Sequence, residues 1–71
     1  MEKLIEVLKE FFKVELDENT KLGDFDKWDS LGHLNLFMKL EEVYNVSFSI
    51  DEIMGAKTIK DIHQLLKSKN V

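Results

Sequence analysis

The side chains best suited to chemistry lie together in the segment Trp28-Asp29-Ser30-Leu31, and His33 follows two residues later. A serine in the first turn of a helix exposes its hydroxyl, and the free amides and dipole of that turn favour an attached phosphate. Asp29 is placed to hold or activate this hydroxyl, or to bind a cation that a modifying enzyme uses. The residues alone also leave a structural role open, because serine and aspartate are common N-cap residues.

Ser30, His33 and Asp29 are also the residue types of a hydrolytic triad. Such a nucleophile needs an oriented base and an oxyanion hole. The Gly-x-Ser-x-Gly elbow is absent, since position 28 is tryptophan. We therefore expect no hydrolase, and we expect His33 to be a solvated helix residue or part of a partner surface, where its ionisation near neutral pH could tune docking.

Metal ligands are sparse in the sequence. Asp24, Asp26 and Asp29 alternate as in part of a calcium loop, but the glycine and the closing glutamate of that motif are missing. Neither His33 nor His63 has a second ligand at metal spacing. The sequence predicts no metal site and leaves open only weak binding of a divalent cation.

Two amphipathic segments must position Ser30. Residues 2–13 have apolar side chains at three- and four-residue intervals, which predicts a helix with one core face. Residues 14–29 form a long polar connection, which we expect to be held by its apolar members: Leu16, Leu22, Phe25 and Trp28. Trp28 is expected at the edge of the core, just before the next helix.

Residues 30–44 predict a second helix with two apolar stripes. Leu36, Phe37, Leu40, Val43 and Tyr44 suit a core face, whereas Leu34 and Met38 share the side of Ser30. The second stripe is either buried as well or contacts a partner. Capping boxes at Ser49/Glu52 and Thr58/Asp61 predict a short helix through residue 54 and a last helix to about residue 68. Residues 46–50 alternate like a strand but lack a partner, so we expect an extended loop.

The expected fold is therefore all-α, a single domain over residues 1–71 with three main helices and one short helix. The chain has 71 residues, a net charge of −4 and no arginine or cysteine. Nucleic-acid binding is disfavoured without a basic footprint, and an acidic surface suits basic partner proteins. The absence of cysteine, of a leader-like start and of a long apolar run predicts a cytoplasmic chain with no membrane span.

Several segments together resemble the acyl carrier protein family. The first is Trp28-Asp29-Ser30-Leu31, followed by the apolar and acidic residues of the second helix: Leu34, Leu36, Met38, Leu40, Glu41 and Glu42. The others are Asn19-Thr20-Lys21-Leu22 in the connection and Thr58-Ile59-Lys60-Asp61-Ile62 at the last helix. Asp-Ser-Leu at the start of the second of four helices is the signature of that family, so the resemblance implies a four-helix acyl-carrier-like bundle.

The resemblance also implies a function without catalysis. Ser30 would carry 4′-phosphopantetheine from coenzyme A, and Asp29 would belong to the site recognised by the phosphopantetheinyl transferase. The partner-facing residues of the second helix would be Leu31, Leu34, Asn35, Met38 and Glu41. Partners would be that transferase, an acyl- or aminoacyl-loading ligase and acyl-transferring enzymes, and the carrier would be a monomer.

The second helix departs from the pattern of fatty-acid-synthesis carriers. Those members usually have acidic residues at the positions of Gly32 and Asn35, and His33 and Lys39 are also unusual. Charge complementarity sets partner choice, so a specialised carrier of lipid or secondary-metabolite biosynthesis is expected. The alternatives are an aminoacyl or D-alanyl carrier, and an interaction domain of the same fold that lacks the flexible phosphopantetheine arm.

Overall fold

The computed structural model describes all 71 residues and contains four helices and no strand. They are α1 Glu2–Phe12, α2 Ser30–Tyr44, α3 Ile50–Gly55 and α4 Ile59–Ser68. The all-α fold with three main helices and one short helix is thus confirmed. No helix has both the length and the apolar character needed to cross a bilayer.

Helix α1 presents one apolar face to the core. Leu4, Leu8 and Phe12 recur every fourth residue and are buried. The helix ends one residue earlier than predicted, because Lys13 adopts the left-handed conformation (φ 60°) and its N–H donates to the Lys9 carbonyl at 2.7 Å. Such a left-handed residue is a common helix end.

The long connection between α1 and α2 is held by backbone pairing as well as by apolar side chains. Lys21 and Thr58 form an isolated antiparallel bridge. Beside it, the Leu22 N–H donates to the Lys57 carbonyl at 2.8 Å, and the Ile59 N–H donates to the Thr20 carbonyl at 3.1 Å. No sequence pattern predicts this pairing, because a single bridge is too short to have a period. It ties the connection to the start of α4.

The predicted anchors of the connection are confirmed, with one correction of position. Leu16, Leu22 and Phe25 are partly buried against the core. Trp28 is fully buried inside the core and not at its edge. Gly23 allows this, since its positive φ of 94° turns the chain and its N–H donates to the Trp28 carbonyl at 2.9 Å.

A row of aromatic rings crosses the interior. Phe12 stacks on Trp28 with ring centroids 5.7 Å apart, and Trp28 lies edge to edge with His33, to which its indole N–H donates, at 6.1 Å. His33 meets Phe37 edge to face at 5.1 Å, and Phe37 meets Phe48 edge to face at 4.9 Å. These offset and edge contacts are the geometries that aromatic rings prefer. The row connects α1, the connection, α2 and the segment before α3.

Both predicted capping boxes are present. Ser49 Oγ accepts from the Glu52 N–H at 3.1 Å, and Glu52 Oε1 accepts from the Ser49 N–H at 2.8 Å. Thr58 and Asp61 form the same reciprocal pair at α4. Residues 46–49 have no regular secondary structure and no strand partner, as predicted, and Ser49 has an extended backbone, but Ile50 already begins α3.

These bonds change the ionisation of the two capping carboxylates. The backbone N–H of Ser49 lowers the pKa of Glu52, and Lys69 lowers it further. The backbone N–H of Lys57, followed by that of Thr58, lowers the pKa of Asp61. Each bond favours the charged form of the carboxylate.

We expect the domain to lose stability in acid through these two groups. Their folded pKa values lie below the ordinary values of 4.5 for Glu52 and 3.8 for Asp61. The stabilisation is therefore complete above those values and is lost as the pH falls through the folded ones. Urea unfolding between pH 6 and pH 2.5 measures this loss. The double variant Glu52→Gln/Asp61→Asn should show a shallower loss than wild type, whereas an unchanged slope would contradict the assignment.

Candidate functional site

Ser30 is the first residue of α2, and its side chain is exposed. Its hydroxyl takes part in none of the side-chain hydrogen bonds of the chain. The backbone N–H groups of Ser30 and Leu31 likewise donate to no protein acceptor. A free hydroxyl beside free amides at a helix start can accept a phosphoryl group and stabilise its charge.

Asp29 is the N-cap of α2, which decides between the two candidates that the sequence left open. Its Oδ1 accepts from the Gly32 N–H at 2.8 Å, and its carbonyl accepts from the His33 N–H at 2.8 Å. An aspartate N-cap of this kind typically contributes about 0.5–2 kcal/mol. Because Asp29 caps the helix, the Ser30 hydroxyl is left available for chemistry.

The prediction that His33 is solvated is wrong. His33 is only 5 % exposed, and both ring nitrogens are bonded. Trp28 Nε1 donates to His33 Nδ1 at 2.9 Å, and His33 Nε2 lies 2.7 Å from the Ile53 carbonyl. The indole N–H can only donate and the carbonyl can only accept, so Nδ1 is unprotonated and Nε2 carries the hydrogen. A ring held in this way cannot serve Ser30 as a base, which removes the triad interpretation.

We call this chain of two hydrogen bonds the Trp28–His33–Ile53 bridge. Two signals in the sequence could have indicated it. His33 precedes Leu36 and Phe37 by three and four residues, so it lies on the core face of α2. A buried tryptophan also needs an acceptor for its N–H. The acceptor on Ile53 could not be predicted, because it depends on where α3 packs.

The outward stripe of α2 is exposed, so it is not buried in the core. Leu31, Leu34 and Met38 are 67 %, 45 % and 65 % exposed. Asn35 is exposed between them, whereas Glu41 is half-buried and its Oε2 accepts from the Phe48 N–H at 2.9 Å. Of the five predicted partner residues, four therefore lie on the open face and Glu41 also has a structural bond. Sequence reasoning missed that α3 adds exposed Ile50 and Met54.

A small cavity of about 180 Å³ opens beside Ser30, between α2 and α3. Ser30, His33 and Leu34 line it from α2, and Ile53 and Met54 line it from α3. A larger surface depression of about 410 Å³ lies between α3 and α4, and Ser30 is not among the residues around it. Only the smaller cavity is contiguous with the candidate site.

Two of the acidic residues before α2 accept hydrogen bonds from backbone N–H groups. Asp24 Oδ2 accepts from the Lys21 N–H at 2.9 Å, and Asp29 Oδ1 is the helix cap already described. The chain brings no three histidine, cysteine or acidic side chains together in a metal-binding arrangement.

Comparison with known proteins agrees with this geometry. The family model described as phosphopantetheine attachment site matches residues 2–66, so the chain belongs to that family. Members carry a covalently attached 4′-phosphopantetheine and are carriers rather than catalysts, which confirms the predicted family, cofactor and absence of enzyme activity. Neither the curated proteins nor the solved structures gave a match.

Gly32 has a structural reason for lacking the acidic side chain found in fatty-acid-synthesis carriers. A Cβ at this position would overlap the Lys27 carbonyl oxygen and would lie 3.1 Å from the Lys27 carbonyl carbon. The obstacle is backbone and not a flexible side chain, so the chain before Trp28 would have to move. The lack of an acidic side chain at Gly32 therefore follows from its close packing against the backbone that leads into Trp28.

We expect Gly32→Ala to destabilise the domain, although glycine to alanine within a helix ordinarily stabilises it by about 1 kcal/mol. The clash with Lys27 should instead lower the free energy of unfolding by about 1–3 kcal/mol. Gly55→Ala is the matched control, since a Cβ there meets nothing within 4 Å. Urea unfolding of the two variants tests the sign. If Gly32→Ala were as stable as the control, the close approach would not hold in solution.

Proposed function

We propose that Ser30 is the attachment residue for 4′-phosphopantetheine and that the chain carries acyl or aminoacyl groups as thioesters. The supporting observation is the free, exposed hydroxyl at the start of α2. The other serines fit less well: Ser49 Oγ caps α3, Ser68 Oγ donates to the Leu65 carbonyl, and Ser47 lies in the connection after α2.

Ser30 would supply the oxygen that bonds to the phosphorus next to pantetheine in coenzyme A. The pyrophosphate P–O bond breaks, 3′,5′-ADP leaves, and the hydroxyl proton of Ser30 passes to a base of the transferase. The bound group ends in a thiol, which holds the cargo. The free N–H groups of Ser30 and Leu31 stabilise the phosphate charge next to them. Asp29 keeps the first turn of α2 in one conformation, and its exposed carboxylate is available for recognition by the phosphopantetheinyl transferase.

The exposed stripe of Leu31, Leu34, Asn35 and Met38 would receive the partner enzymes. Its apolar members can fill a pocket on a partner, and the net charge of −4 favours a basic rim around that pocket. Neither Gly32 nor Asn35 is acidic, which supports a specialised carrier over one of fatty-acid synthesis. We further propose a monomeric single-domain carrier in the reducing cytoplasm, consistent with the absence of cysteine.

We expect Ser30→Ala to abolish loading and to leave the fold intact. Asp29 and not Ser30 is the cap, so the free energy of unfolding should change by less than about 0.5 kcal/mol. The test incubates apo protein with coenzyme A, magnesium and a broad-specificity phosphopantetheinyl transferase, followed by intact mass and peptide mapping. Ser47→Ala is the control and should load as wild type does. If wild type gains no mass, with this transferase or with the host's own, the chain is an interaction domain without the arm.

We expect Met38→Glu to lower kcat/KM for attachment of phosphopantetheine by the transferase about tenfold or more. The reason is that one buried side chain at an interface contributes about 1.4 kcal/mol or more to binding. Lys39→Gln changes the net charge by the same amount on the neighbouring position and should retain most of the wild-type rate. Lys39 lines a different depression, with Val7 and Phe11 of α1. Equal rates for the two variants would show that the stripe does not contact the transferase.

A further inference from the structure

We propose that the Trp28–His33–Ile53 bridge closes the interior beneath Ser30, so that this carrier handles short acyl or aminoacyl groups and keeps them at its surface. The inference rests on the proposed attachment at Ser30 and narrows the cargo of that site. It assigns His33 the role of a specificity-determining residue.

The space next to Ser30 is too small for a long chain. The cavity measures about 180 Å³, and it is bounded by His33 and Ile53, which are only 5 % and 9 % exposed. At about 30 Å³ for a water-sized group, it accommodates about six such groups. The two residues that line its inner end are joined by the 2.7 Å hydrogen bond from His33 Nε2 to the Ile53 carbonyl. A group that enters beside Ser30 therefore stops at this bond.

Behind the bond the interior is filled. Phe37 contacts the His33 ring edge to face, the Trp28 indole lies edge to edge with that ring, and Phe48 continues the row beyond Phe37. Packed interiors leave few voids larger than a water molecule. A long chain could enter only by displacing aromatic rings and by separating α2 from α3.

Opening the bridge also leaves polar groups without partners. In the present arrangement every buried side-chain nitrogen and oxygen has a hydrogen-bond partner. An alkyl chain between His33 and Ile53 can neither accept from the His33 Nε2–H nor donate to the Ile53 carbonyl. Burial of polar groups without partners is unfavourable, so the gain from burying the chain is opposed at the point of entry.

The Ile53 carbonyl has particular need of the bridge. It lies in the last turn of α3, where the carbonyl groups have no partner within the helix. The His33 ring thus caps α3 from the side and sets its distance from α2. A short or polar cargo leaves this arrangement intact, because it needs no apolar shelter.

The test compares cargo lengths on the intact domain. Apo protein is converted with acetyl-coenzyme A and with octanoyl-coenzyme A by a broad-specificity phosphopantetheinyl transferase. We expect both products to show the same Tm and the same ¹H–¹⁵N positions for the Trp28 indole N–H and the Ile53 amide. A Tm that rises with chain length, together with shifts at Trp28 and Ile53, would overturn the proposal.

Two variants test the role of His33 itself. His33→Ala removes the inner wall, so its octanoyl form should have a higher Tm than its acetyl form and should show shifted Phe37 resonances. Met54→Ala enlarges the same cavity without touching the bridge and should respond to chain length no more than wild type does. If the octanoyl and acetyl forms of His33→Ala had the same Tm and the same Phe37 resonances, the assignment of His33 would be overturned. Should that variant not fold, the wild-type comparison decides alone.

The outcome separates this inference from the proposed function. A protein that gains no mass at Ser30 contradicts the attachment and therefore both proposals. A protein that loads at Ser30 and then buries the octanoyl chain contradicts only the inference about cargo.

Discussion

A hydrogen-bonded chain runs from the Trp28 indole through both nitrogens of His33 to the Ile53 carbonyl, at 2.9 and 2.7 Å. It joins the long connection, α2 and α3, which have no backbone ladder between them. Each buried group left without its partner would cost about 1–3 kcal/mol. A core of this size supplies only about 3–5 kcal/mol in total, so loss of this bridge would remove a large part of the stability that holds α3 beside α2.

Two residues in the same turn of α2 differ in burial and in role. Ser30 and His33 are three residues apart, yet the hydroxyl of Ser30 is open to solvent while the ring of His33 is buried. Asp29 allows this difference, because its carboxylate caps the helix and the Ser30 hydroxyl is not needed as the cap. Close contact between Gly32 and the Lys27 carbonyl then lets Trp28 enter the core directly before the cap. The proposed attachment residue Ser30 is thus held by the first turn of α2 and remains exposed.

Much of this arrangement could be predicted from local patterns. The apolar period of α1, the capping boxes of α3 and α4 and the start of α2 at Ser30 depend on residues within one or two turns, and all four agree with the structure. The positions of His33 and Trp28 were predicted wrongly for one shared reason. Histidine and tryptophan are each compatible with surface and core, and only a partner distant in sequence or packing decides between them.

The sequence by itself determined the number of helices, the capped turn that carries Ser30 and the family to which the chain belongs, because these follow from residue types at short spacing. Only the tertiary structure decided which of Asp29 and Ser30 caps α2, which apolar stripe remains open and how much space lies beside Ser30. Those outcomes depend on contacts between Lys27 and Gly32, His33 and Ile53, and Lys21 and Thr58. Such contacts have no local period, since they form only when separate segments pack around one core.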